Sequence, residues 1–255
     1  MAASTAVEDR VLQLGPGLSP IPERLLLAHA RGEVLFICGA GISQPAGLPG
    51  FRELVLKVYA TLDTSTHSVL TGLPPGACNQ WLANCAGLTD QQSAEVRRFI
   101  QGDYDVVLGM LERRLDDQTR GDSQVRRTVA TILRSGAASP APIHKALIAL
   151  SDRGGAKTIV TTNFDLLLQV AARRLRSRVE TYSLGSIPRP SRSSDFSGVL
   201  HIHGALDESP ARTSEFVLSD QDFGEFYLRR RVVPDFIYDA ARLYHLVLVG
   251  YARPR

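Results

Sequence analysis

The five residues Val34–Cys38 are uniformly apolar and lie between turn signals. A short run of this kind reads as a strand buried on both faces of a parallel sheet. Thr158–Thr161 (TIVT), Val199–His203 and His245–Gly250 (HLVLVG) repeat the pattern, and Val179–Tyr182 and Phe216–Leu218 predict two further short strands. Between them, apolar residues recur at helical spacing. Glu23–Arg31, Glu53–Leu62, Ile143–Leu150, Leu166–Leu175 and most of Asp220–Ala241 predict helices. Alternating strands and helices predict an α/β domain, a Rossmann-like parallel sheet flanked by helices.

The alternation breaks once. Residues 64–89 are rich in Gly, Pro, Thr and Ser and hold the single tryptophan, Trp81. Residues 90–134 predict two or three amphipathic helices, with Val106, Val107, Met110 and Leu111 set among charges. The stretch of about 64–134 therefore reads as a helical cap inserted beside the sheet. Gly136–Pro142 is a linker. Residues 1–22, with Gly15-Pro16-Gly17, form an irregular lead-in to a domain over 23–255.

Composition narrows the function. A net charge of +3, from 29 basic and 26 acidic residues, gives no ground for nucleic-acid binding. Cysteine is limited to Cys38, Cys78 and Cys85 without a C-x-x-C pair, so no zinc ribbon, no other metal site and no disulfide framework is expected. The sparse count fits a reducing compartment. No basic-plus-apolar leader and no run long enough to cross a bilayer occurs, so the expected address is the cytoplasm, away from membranes.

Three clusters can carry chemistry. Gly39-Ala40-Gly41-Ile42-Ser43 follows a strand, as the turn of a dinucleotide site does. The spacing is not G-x-G-x-x-G, and a plain tight turn is the competing reading. In TTNFD, Asn163 and Asp165 stand at the C-terminal end of a strand, where ligands bind in open parallel sheets; capping of the next helix is the alternative. In HIHG, His203 closes a strand and suits a general base, and a regular strand would put His201 on the same face. A metal held by that pair is disfavoured because no further ligands cluster nearby. A serine hydrolase and a P-loop NTPase are excluded by missing G-x-S-x-G and G-K-[ST] motifs.

The order of these clusters resembles the Sir2 (sirtuin) superfamily. Its marks here are Gly39–Ser43, Ala46-Gly47-Leu48-Pro49-Gly50-Phe51-Arg52, Asn163-Phe164-Asp165 and His203-Gly204, with the PIHKALIAL helix carrying His144. The resemblance implies NAD as substrate. It lays Gly39, Ala40 and Gly41 along the pyrophosphate, makes Phe51 a lid and Arg52 a ligand clamp, and gives Ser43 and Thr162 phosphate or ribose hydroxyls. Asn163 would position a water or the ribose, Asp165 would orient the nicotinamide, and His203 would take a proton. Gly250-Tyr251-Ala252 resembles the strand end that meets the adenine ribose, with alanine in place of the usual serine.

The departures from deacetylase sirtuins are informative. The four-cysteine zinc module is absent, and Gly50-Phe51-Arg52 lacks the carboxylate of the D-F-R triplet. TTNFD, HIHGAL and FVLSDQDFGEFYL resemble the Sir2-like domains of bacterial anti-phage defence proteins. This implies an NAD glycohydrolase that depletes NAD, working as an oligomer or beside a sensor partner. The alternatives are a non-catalytic NAD or ADP-ribose module and a protein deacylase. The resemblance also predicts that the family pattern continues beyond Arg255, the chain being a shortened version of it.

Overall fold

The computed structural model describes residues 10–73, 85–116, 123–136, 139–152, 157–176, 179–188, 197–206 and 216–251. Cys78, Trp81, Ala252 and most of the loop before residue 197 lie outside them. The lead-in forms a two-residue ladder, β1 (Val11–Leu12) with β2 (Ile21–Pro22), and passes directly into α1 (Glu23–Ala30).

The central sheet is built from β3 (Val34–Cys38), β4 (Thr158–Thr161), β5 (Glu180–Ser183), β6 (Gly198–His201) and β7 (His245–Val249). Its spatial order is β5-β6-β4-β3-β7, with every neighbouring pair parallel. This is an α/β Rossmann-like fold. Parallel strands need covered faces, and the period-two alternation of β3 shows both being used. Val34, Phe36 and Cys38 pack with Ala28 of α1, with Leu147 and Ile148 of α7 (Pro142–Leu150), and with Leu168 and Ala171 of α8 (Leu167–Arg174). Leu35 and Ile37 pack on the opposite face with Val233, Phe236 and Ala240 of α10 (Val232–Leu243).

The cap is helical, as the sequence predicts. It contains α3 (Thr64–Gly72), α4 (Asp90–Gln101), α5 (Tyr104–Leu115) and α6 (Gln124–Gly136). Its core also takes Leu54, Val55, Val58 and Tyr59 from α2 (Phe51–Leu62). Two arginines, the half-buried Arg114 and the buried Arg126, tie it together. Arg114 bridges Asp63 and Glu95, and Arg126 bridges Glu112 and Asp222 while donating to the Phe216 carbonyl at 3.0 Å. Arg126 thus fastens α6 to the chain segment after β6.

Two expectations need correction, and a third, that most of Asp220–Ala241 is helical, holds with a break. Phe216–Leu218 is buried but irregular; its Val217 N–H goes to the His203 carbonyl alone at 2.9 Å, so no ladder forms. The Val199–His203 strand ends at His201, because Gly204 N–H turns back to the His201 carbonyl at 3.1 Å. The helix after Ser219 is broken. α9 (Asp220–Phe223) widens into a π-helical stretch, Gly224–Arg229, and Arg231 adopts a left-handed conformation before α10.

Candidate active site

The C-terminal ends of β3, β4, β6 and β7 surround one cavity of about 610 Å³, a size suited to a small-molecule ligand. Its lining includes Ala40, Gly41, Ser43, Thr162, Asn163, Asp165, His203, Gly250 and Tyr251, and the cap roofs it with Phe51, Leu54 and Leu133. Three sequence clusters distant along the chain therefore meet in one place.

The β4 end builds a closed polar hub. Ser43 is buried, and its hydroxyl donates to Asp165 Oδ2 at 2.8 Å. Asn163 Nδ2 donates to the same Ser43 Oγ at 3.0 Å. His144 accepts the Ala141 N–H at Nδ1, so its neutral ring carries the proton on Nε2, 3.4 Å from Ser43 Oγ. Burial lowers the His144 pKa. Asp165 Oδ1 accepts the Leu167 N–H at 3.0 Å, so the capping role and the hub role fall on one carboxylate. Among the described residues no hydrogen bond engages Asn163 Oδ1, which belongs to the cavity wall.

The glycine turn is closed from within. Gly39 N–H donates to the Val249 carbonyl and Gly41 N–H to the Gly250 carbonyl, at 2.8 and 2.9 Å. A Cβ at Gly41 would lie 2.7 Å from Gly250 O, and Gly250 itself has a φ of +75°. Both positions are held to glycine by the approach of two backbones. Tyr251 sits over the turn, its hydroxyl 3.3 Å from Thr162 Oγ1. No main-chain partner among the described residues engages Ala40 N–H.

The β6 end is different in kind. His203 lies against the Phe223 and Tyr227 rings, with centroids 5.5 and 5.9 Å away. Its Nε2 is 2.6 Å from the Tyr227 hydroxyl. Of the two neutral groups the phenol is the stronger acid and the imidazole nitrogen the better acceptor, so the phenol donates and Nε2 accepts. Burial pushes His203 down to about 4 and Tyr227 up to about 12, which keeps the imidazole neutral and the phenol protonated at neutral pH.

Two expected site residues, Gly39 and Arg52, lie outside the cavity lining, as does His201, a candidate only for the disfavoured metal pair. Arg52 is exposed and stacks its guanidinium 5.2 Å from the Phe99 ring centroid, outside the cavity lining. His201 is wholly buried and does not share a face with His203, because the strand has already ended. Among the described residues, no group of three His, Cys, Asp or Glu is placed to hold a metal. Tyr227 and Leu133 went unforeseen. The aromatic pair Phe223 and Tyr227, four residues apart, was the available sign for Tyr227; Leu133 gave none.

Residues 157–253 match the family model for the SIR2-like domain. An uncharacterized protein, y4cA, of Sinorhizobium fredii (strain NBRC 101917 / NGR234) is 35% identical over 249 residues, or 95% of this chain. The chain spans 18% of that relative's length. Over residues 157–253 the chain is thus similar to SIR2-like domains, and its parallel sheet, its glycine turn, and Asn163 and His203 at neighbouring strand ends accord with that match.

Proposed function

We propose that this protein is an NAD+ glycohydrolase, taking NAD+ and water to nicotinamide, ADP-ribose and a proton. The observation that carries this reading is the convergence of the Gly39–Ser43 turn, Asn163 and His203 on one cavity of about 610 Å³. The glycosidic bond breaks with its electron pair passing to the nicotinamide ring nitrogen. An oxocarbenium-like ribose is left, and water adds at the same carbon.

Asn163, fixed through Nδ2 by Ser43, turns its remaining amide capacity on the ribose or the incoming water. With nucleotide bound, the Tyr227 phenol gives up His203 Nε2, and that nitrogen accepts a hydrogen bond from the hydroxyl or water and takes its proton. A role of this kind contributes about 10²–10⁴-fold. The bound pyrophosphate would raise His203 from its low basicity toward the working range. Ala40 N–H and the start of α2, which has no side-chain cap and meets the cavity at Gly50 and Phe51, would receive phosphate oxygens. Asp165 holds Ser43 and the α8 start, and so acts on the nicotinamide side through them.

In a cell this reaction depletes NAD, the output of the defence effector that the motifs resemble. The proposed setting is the cytoplasm, with an oligomer or a sensor partner setting the trigger. Among the described residues, no helix is long and apolar enough to cross a membrane.

A second reading is a module that binds NAD or ADP-ribose without cleaving it. Two observations favour it: Tyr227 engages His203 Nε2, and Gly250 engages Gly41 N–H. Chromatography of NAD+ incubated with the chain separates the two, since only the hydrolase liberates nicotinamide while both bind nucleotide.

A further inference from the structure

His201 is fully buried two residues before His203, and the reaction above leaves it without a task. Its Nδ1 is 2.7 Å from the Asn163 carbonyl oxygen. A carbonyl only accepts, so Nδ1 carries the proton. Burial disfavours a second proton, and Nε2 is left as an acceptor. Gln169 Nε2 faces that nitrogen at 2.7 Å and reaches Thr181 Oγ1 at 3.2 Å.

The orientation of Gln169 is revealing. Its Oε1 is buried and, among the described residues, has no hydrogen-bond partner. Turning the amide over would offer Oε1 the Thr181 hydroxyl, yet would set an oxygen against the His201 lone pair. A buried polar atom left unpaired is costly. Here it is tolerated in the arrangement that keeps the His201 proton on the Asn163 side.

The Asn163 main chain is gripped from two directions. Its N–H donates to Thr161 Oγ1 at 3.0 Å, and that hydroxyl in turn donates to the Cys38 carbonyl at 3.0 Å. The carbonyl is held by His201, and the side chain by Ser43.

We propose that His201 is a positioning residue: its Nδ1–H fixes the Asn163 carbonyl and so aims the Asn163 side chain into the cavity, with Gln169 fixing the ring's tautomer. The inference rests on the reading that Asn163 acts on the nucleotide. It gives the first histidine of HIHG a role distinct from both metal binding and proton transfer.

The test uses the full chain with ¹⁵N-labelled histidine and asparagine. Long-range ¹H–¹⁵N spectra, assigned by loss of the His201 signals in His201→Asn, should show the Nδ1–H tautomer at neutral pH. His201→Asn places an amide N–H near the lost Nδ1–H and should keep the Asn163 side-chain amide resonance and the nicotinamide release rate close to parental. His201→Leu removes the donor; the Asn163 resonance should move and kcat fall by about 100-fold, the scale of a misplaced group. Should His201→Leu fail to fold, Gln169→Met leaves the ring in place without its donor, and should mix the tautomers and lower kcat.

An Nε2–H tautomer overturns the proposal. So does parental turnover in His201→Leu, or equal impairment in His201→Leu and His201→Asn. If the parental chain releases no nicotinamide, the glycohydrolase reading falls instead. The tautomer and the Asn163 resonance then decide the role of His201 by themselves.

Discussion

The two strand ends that face the cavity are built on opposite principles. At the β4 end, the partners are polar: Ser43, Asn163, Asp165 and His144 join in a hydrogen-bond hub that, among the described residues, leaves Asn163 Oδ1 for a ligand. At the β6 end, His203 is walled by aromatic rings and has a phenol on one nitrogen. A satisfied buried network rigidifies, whereas an apolar wall controls a group's basicity. On the proposed reading, this difference gives placement to one end and proton handling to the other.

Removing either end's acting group should have the largest effect. Asn163→Ala and His203→Ala are each expected to lower nicotinamide release by at least about 100-fold, with circular dichroism unchanged. Parental turnover in either variant would erase the division of labour. Next is the hub itself. Asp165→Ala strands the Ser43 hydroxyl and the Leu167 N–H and should cost about 1–3 kcal/mol in denaturant unfolding, whereas His203→Ala should cost less.

The two ends should also differ in acid. His203, held near 4 by burial, stays unprotonated in the folded chain while the unfolded chain protonates at its ordinary value. The unfolded state then binds more protons, so stability is complete above about 6.5 and is lost as pH falls toward 4. His144 and His201 act in the same direction. Thermal unfolding across this window should show the loss, and His203→Ala should flatten it. Tyr227→Phe is a smaller perturbation. A phenol that donates to Nε2 stabilises the neutral ring, so its removal should move the acid limb of the pH–rate profile upward; a downward move would reverse the donor assignment.

Arg52→Ala should matter least. Its guanidinium lies on Phe99, so KM for NAD+ is expected to stay near parental. A steep rise in KM would restore the clamp that the motif resemblance implies.

The sheet was legible because four of its five strands are short apolar runs that have no other stable use, and both faces of β3 follow from its alternation. The glycine turn, Asn163 and His203 were legible as motifs at strand ends. Their partners were not. Tyr227 reaches His203 from a π-helical turn, and Gln169 reaches His201 across 32 positions; no local pattern encodes either meeting. The end of β6 was misjudged by two residues because a turn closed by Gly204 N–H wins over the apolar run. The reason for Gly41 was half visible: glycine is required there, and the backbone that requires it is the chain's own Gly250.

The most direct measurement incubates the purified chain with NAD+ and separates the products by chromatography, with His203→Ala alongside. The account predicts equal amounts of nicotinamide and ADP-ribose from the parental chain and neither from the variant. Nicotinamide from both, or from neither while the folded chain still binds NAD+, would contradict it.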